Sequence, residues 1–262
     1  MSDYTAEQRV EIARNQKRPH VRAFIDGLFE GFIELHGDRH FADDRALIGG
    51  IATFEGIPVT VAGHVKGADL NENIACNFGM PNPEGYRKFI RLARQAEKFG
   101  RPVITFIDTP GAYPGIGAEE RGQGEAIAQC LYTLSELKTP IVAVVTGEGG
   151  SGGALALGLA DYVIMYEHAI YSVLSPEGFA SILWKDAKRS HEAAEVMKLT
   201  SDDLYSFGMI DAIVGEPEGG AHTEPVGAIQ TLRPALHDAL EYTRGMDINT
   251  LLEKRYEKYR KF

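Results

Sequence analysis

Between Pro140 and Met165 the chain reads PIVAVVTGEGGSGGALALGLADYVIM, and this run restricts the fold more than any other stretch. Ile141–Thr146 is apolar and β-branched with no charge, which suits a strand covered on both faces. Gly147–Gly153 follows, with five glycines in seven residues. Ala154–Ala160 then contains only Ala, Leu and Gly, so a helix here must be packed closely and buried. The expected order is a buried strand, a glycine turn over 147–153, a buried helix and the next strand. Such a turn aims backbone N–H groups at one point, because the first turn of a helix has no internal acceptors for them. The macrodipole adds positive potential there. The physical output is a main-chain site for an anion or an oxyanion.

Three patterns overlap on these residues. Gly147, Gly149 and Gly152 fit G-x-G-x-x-G, the dinucleotide fingerprint. Gly149, Ser151 and Gly153 fit G-x-S-x-G, the hydrolase elbow, with Ser151 as nucleophile. Paired glycines at a helix start also fit an oxyanion hole for a thioester or amide. A bare packing turn is the fourth possibility. A Walker A loop is excluded, since no Lys-Ser/Thr follows. The dinucleotide reading fits poorly: the turn comes past the chain midpoint, and no acidic residue stands about 20 residues on at a strand end. The hydrolase reading needs a later acid and then a histidine. Asp211 and His222 satisfy that order, as many chains would.

The rest of the chain bounds the partners. A net charge of −10 argues against nucleic acid or an anionic membrane as the main partner. No apolar run approaches the roughly 20 residues that span a bilayer. Cys76 and Cys130, with no signal peptide ahead of them, read as free thiols in a reducing cytoplasm. There is no C-x-x-C pair and no H-E-x-x-H, so no metal site is expected.

In chain order, residues 1–35 read as helical. Val21, Phe24, Ile25, Leu28, Phe29 and Phe32 fall at helical spacing. A hairpin over Ile48–Phe54 and Ile57–His64 turns at Glu55-Gly56. The segment from His64-Val65-Lys66-Gly67 through Asn77-Phe78-Gly79-Met80 reads as a loop. Pro83 opens a helix that Gly100 closes. Val103–Asp108 is a buried strand running into a Pro/Gly loop. That loop precedes a helix carrying Ile127, Cys130, Leu131 and Leu134 on one face. Thr200 to Asp203 is a capping sequence. The expected organisation is a single domain over 1–262, with a core over 37–215 and a helical tail over 227–262.

Several blocks together closely resemble one family. These are FIDTPGAYPGIGAEERGQGEAIA (Phe106–Ala128), GEGGSGGALALG (Gly147–Gly158), YSVLSPEGFASILWKD (Tyr171–Asp186) and EPEGGAHTEP (Glu216–Pro225). With them go GDRHFADDRALIGGIA (Gly37–Ala52), GHVKG (Gly63–Gly67) and NFGMPNPEGYRK (Asn77–Lys88). They resemble the carboxyltransferase α subunit of multisubunit bacterial-type acetyl-CoA carboxylase, from about residue 10 to the end. Two departures are visible. The long helical N-terminal extension of some members is absent, and Ala75-Cys76 stand where the family often carries basic residues.

The resemblance implies an α/β, crotonase-like fold: a spiral of repeated ββα units that holds enolates on backbone N–H groups. It implies transfer of a carboxyl group from carboxybiotin, on the biotin carboxyl carrier protein, to acetyl-CoA, giving malonyl-CoA for fatty acid synthesis. The implied partners are a β subunit that carries the complex's zinc, in an α2β2 assembly, and biotin carboxylase. By the family pattern Gly152 and Gly153 form the oxyanion hole. Gly149, Gly150 and Ser151 shape the turn, and Pro110, Gly111, Ala112 and Tyr113 line a biotin pocket. Lys66 is the candidate for CoA phosphates. Glu119, Glu120 and Arg121 read as a structural or subunit-interface set. The serine hydrolase on Ser151 stands as the alternative.

Overall fold

The computed structural model describes residues 4–262. Its centre is one eight-stranded sheet. Strands β1 (Glu30–Glu34), β2 (Leu47–Phe54) and β3 (Ile57–His64) are antiparallel neighbours. From β3 the sheet continues in parallel through β4 (Val103–Thr109), β5 (Ile141–Gly150), β6 (Tyr162–Tyr166) and β8 (Ala212–Val214). The short β7 (Ile170–Ser172) pairs with the far end of β5. β4 is buried at every position, and so is β5 up to Gly149. That explains why they read as continuous apolar runs rather than alternating ones.

Helices cover this sheet. Helix α4 (Pro83–Lys98) starts with proline at its first turn and buries Phe89, Leu92, Ala93 and Ala96. Helix α6 (Gln123–Glu136) buries Ala126, Cys130 and Leu134, while Ile127 and Leu131 are only half-buried. Helix α7 (Ser151–Gly158) follows β5 directly. Cys76 and Cys130 are both free thiols. Among the described residues, no helix is long and apolar enough to cross a membrane.

The N-terminal segment departs from the helix expected through residue 35. Helix α1 spans Ala6–Ala13 and α2 spans Val21–Leu28, and residues 30–34 are strand β1. Phe29 is already extended and Gly31 has a φ of +61°, which a continuing helix does not accept. Pairing with β2 then satisfies the backbone that the helix abandons. The expected positions of residues 1–3 lie outside the described residues.

The expected loop at 64–80 contains helix α3 (Leu70–Ala75), where Asp69 accepts the Glu72 N–H at 2.9 Å. The D-x-x-E spacing of Asp69 and Glu72 was the available signal. The tail is two helices, α11 (Pro225–Arg244) and α12 (Ile248–Tyr259), separated at Gly245. Arg255 of α12 is buried and pairs with Asp161 at 2.7 Å, while giving hydrogen bonds to the carbonyls of Leu134, Leu137 and Thr139. This ties the tail to the amino end of β5, since Asp161 also accepts the Ile141 N–H.

Candidate active site

The glycine run does not form one long turn. β5 continues through Gly147, Glu148 and Gly149 to Gly150, and the turn is confined to the Gly150–Ser151 junction. Two ladders hold the strand this far: Gly149 faces Thr109 of β4 on one side and Tyr171 of β7 on the other. Ser151 then takes a φ of +53° and opens α7. No side chain caps this helix at Gly150. Its first N–H groups therefore have neither an internal acceptor nor a side-chain one, and they point out past the carboxyl end of the strand. Ser151 is exposed and Gly152 half-exposed, so this end is accessible.

The loop after β4 lies directly on these residues. A Cβ at Gly150 would sit 2.2 Å from the Pro110 carbonyl oxygen. A Cβ at Gly153 would sit 2.5 Å from the Gly111 carbonyl carbon and 2.7 Å from the Ala112 nitrogen. Glycine is thus required at both positions by the approach of another backbone. Thr109 pins the loop: its hydroxyl donates to the Gly111 carbonyl at 2.7 Å and accepts the Gly111 N–H at 3.1 Å. Gly152 has more room, its nearest neighbour being an Ile127 methyl at 3.5 Å.

The structure therefore brings Gly149, Gly150, Ser151, Gly152 and Gly153 together with Pro110, Gly111 and Ala112. Tyr113 is set differently. Its ring folds back over Gly115, its N–H bonds the Pro81 carbonyl, and its own carbonyl accepts Gln123. Lys66 does not stand free as a point charge. Its ammonium lies 2.6 Å from Asp108, and the two side chains are 18% and 10% exposed.

Asp108 is a residue that pattern reading passes over. Burial opposes its charge. Lys66 and the Glu148 N–H overcome that penalty and hold the carboxyl below its ordinary range. Lys66 also borders a cavity of about 890 Å³, whose walls include Lys17, His20, Arg45, Asp44 and Cys76. The glycine turn does not line that cavity.

The elbow reading of Ser151 finds a strand–turn–helix bend but, among the described residues, no hydrogen-bond partner for the hydroxyl. Asp211 accepts the Val163 N–H and pairs with Lys258 at the amino end of β6, whereas Ser151 stands past the carboxyl end of the parallel β5. His222 lies beside Gly220. Arg121 holds Glu84 at 2.6 Å and covers the Phe41 ring at 4.8 Å, which is a structural contact. Among the described residues no group of three or more His, Cys, Asp or Glu is placed to hold a metal ion.

A mixed sheet whose central parallel strand runs into an uncapped glycine helix is an α/β architecture of the crotonase-like kind. Solved structures share that architecture. The transcarboxylase 12S structure superposes with a TM-score of 0.66 at 20% identity, covering 86% of this chain and 44% of that one. A Pseudomonas malonate decarboxylase heterodimer superposes at 0.62 and 20% identity, over 74% of this chain and 80% of that one. At these identities the likeness concerns the fold.

The family is set by sequence. The model of the acetyl co-enzyme A carboxylase carboxyltransferase-like family matches residues 1–262, and the chain belongs to that family. The acetyl-coenzyme A carboxylase carboxyl transferase subunit alpha of Clostridium botulinum (strain Eklund 17B / Type B) is 59% identical over 97% of this chain and 93% of its own. The protein of the same name from Carboxydothermus hydrogenoformans is 56% identical over 98% of this chain and 79% of its own.

Proposed function

We propose that the chain is the α subunit of an acetyl-CoA carboxylase carboxyltransferase, moving a carboxyl group from carboxybiotin on a carrier protein to acetyl-CoA. The observation that carries this reading is the uncapped start of α7 with the 110–112 loop packed on it. The donor set fits an oxyanion and offers no nucleophile–base pair. Carboxybiotin supplies a releasable CO₂ on N1 and, after release, a nitrogen able to take the methyl proton of acetyl-CoA. The new C–C bond then joins CO₂ to that methyl carbon, giving malonyl-CoA.

The chain's own task is electrostatic. The amides of Gly152 and Gly153 hold the negative ureido oxygen that develops on biotin, and a donor of this kind contributes about 3–4 kcal/mol in the transition state. Gly149, Gly150 and Ser151 set their direction. The backbone of Pro110, Gly111 and Ala112 forms the wall beside them, and Tyr113 supports that wall from behind.

A partner subunit completes the site in this reading. Apolar side chains lie open on the described surface, among them Ile116 at 79% exposed, Val173 at 83% and Leu183 at 60%. Large apolar side chains left this open become buried when a partner covers them. We assign them to a β subunit in an α2β2 assembly, which meets the biotin carboxyl carrier protein and works beside biotin carboxylase. Two free thiols accord with work in the cytoplasm. The test is a mixing experiment. The purified chain alone should form no malonyl-CoA; with a β subunit and carboxylated carrier it should. Full transfer by the isolated chain would overturn the subunit reading.

A further inference from the structure

The ladder between β4 and β5 is interrupted where the site begins. Ile107 faces Val145, but the next pair is Thr109 with Gly149. β4 advances two residues while β5 advances four, so β5 carries a bulge over 146–148. A bulge leaves backbone groups without ladder partners. Asp108, the single β4 residue opposite, supplies one from its side chain: its Oδ1 accepts the Glu148 N–H at 2.9 Å. Gly147 makes room for this, since a Cβ there would lie 2.5 Å from the same oxygen. Lys66 Nζ reaches Oδ1 at 2.6 Å. The chain beyond the bulge runs only Gly149 and Gly150 before the helix start.

Resting on the function proposed above, we propose that Asp108, with Lys66 as its counter-ion, is a positioning residue that fixes the β5 bulge and so the direction of the Ser151–Gly153 amides. A phosphate-binding role for Lys66 conflicts with this placement. Drawing the ammonium away to a phosphate would leave a buried carboxylate held only by the Glu148 N–H and the charge of Arg18, beside the fully buried ring of His64. An Asn at 108 keeps an oxygen for the Glu148 N–H, and a Met at 66 keeps the stem that packs on Gly79. The pair can therefore be neutralised without losing its shape.

The experiment compares Lys66→Met, Asp108→Asn and the double variant in the complex with a β subunit. Each single variant should lower kcat about tenfold or more with the KM for acetyl-CoA within about twofold. The double variant should recover most of kcat, because neither charge is left alone. Hydrogen exchange of the 148–153 amides in the isolated chain reads the same geometry without activity. It should quicken in the single variants and return in the double, with the β2–β3 hairpin unchanged. Should the single variants fail to fold, the double must fold and transfer. A Lys66→Met variant with unchanged kcat and a KM raised tenfold would overturn the proposal. So would a double variant no better than the worse single one. If the wild-type complex transfers no carboxyl group, the function proposed above fails, and the exchange data still decide on Asp108.

Discussion

Gly153 lies so close to Gly111 that a side chain on Gly153 would force the two elements apart: a Cβ there would stand 2.5 Å from the Gly111 carbonyl carbon. The start of α7 and the loop after β4 are therefore one unit. Gly153→Ala must shift the loop, and we expect a loss of about 10²-fold in kcat with α2β2 assembly retained. Gly152→Ala meets nothing nearer than 3.5 Å and keeps its N–H. It should stay within about fivefold of wild type. Carboxyl transfer and size-exclusion profiles of the two variants, side by side, check this. Equal activities would mean that the Gly111 contact does not matter.

Ser151 separates transferase from hydrolase. Its φ of +53° is costly for any residue but glycine. Ser151→Gly should raise stability by about 1 kcal/mol and leave carboxyl transfer within about tenfold. A serine nucleophile would instead lose about 10⁶-fold. Thermal melts, transfer assays and an organophosphonate probe make the comparison. Stoichiometric labelling of Ser151 together with a dead variant would favour the hydrolase.

Arg255 tests the anchoring of the tail. It is 2% exposed and bonds Asp161 with two nitrogens at 2.7 Å each. Removing one partner of a buried pair leaves the other uncompensated, so Arg255→Ala should cost about 3–5 kcal/mol. Urea unfolding measures it. A loss below about 1 kcal/mol would mean that solvent reaches Asp161 freely.

What was legible in the sequence follows a physical divide. β5 could be read because burial on both faces leaves an unbroken apolar record in Ile141–Val145, and α7 because Ala154, Ala156 and Leu157 are buried while, of that apolar run, only Leu155 comes to the surface. The hairpin of β2 and β3 was legible from Glu55-Gly56. The turn is shorter than the glycine run, being confined to the Gly150–Ser151 junction. Gly147, Gly149 and Gly150 are strand residues, made glycine by the approach of Asp108, Tyr171 and Pro110, and a single sequence does not record which distant backbone comes near. The same holds for charge. Lys66 and Asp108 are 42 residues apart and carry no periodic signal, yet they meet at 2.6 Å. Nothing in the sequence marks Arg255 as buried, because burial of a long polar side chain depends on acceptors contributed by other elements.

Two buried groups give opposite pH dependences in the same range. Burial pushes the fully enclosed His64 from its ordinary 6.5 down to about 4. Among the described residues neither ring nitrogen makes a well-formed hydrogen bond, and the nearby Gly153 and Phe106 backbones offset only part of the burial. The unfolded chain takes up this proton near pH 6.5 and the folded chain does not. Stability is therefore complete above pH 6.5 and is lost as pH falls towards 4. Burial pushes Asp44 the other way, from 3.8 up to about 6, against the pull of the Ala46 and Asn82 N–H groups. The folded chain binds that proton first, so a cost present above pH 6 is relieved as pH falls. Between pH 6 and 5 the two effects oppose each other in the wild type. Single variants should separate them. Relative to wild type, His64→Leu should gain about 2 kcal/mol on going from pH 6.5 to 5. Asp44→Asn should lose about 1 kcal/mol over the same interval, since the wild type then sheds a cost the variant never had. Urea unfolding at half-unit steps of pH supplies both differences, and the variant-minus-wild-type form cancels the other titrating groups. Differences that do not change with pH for His64→Leu would mean that the ring is hydrated or already bonded in the folded chain.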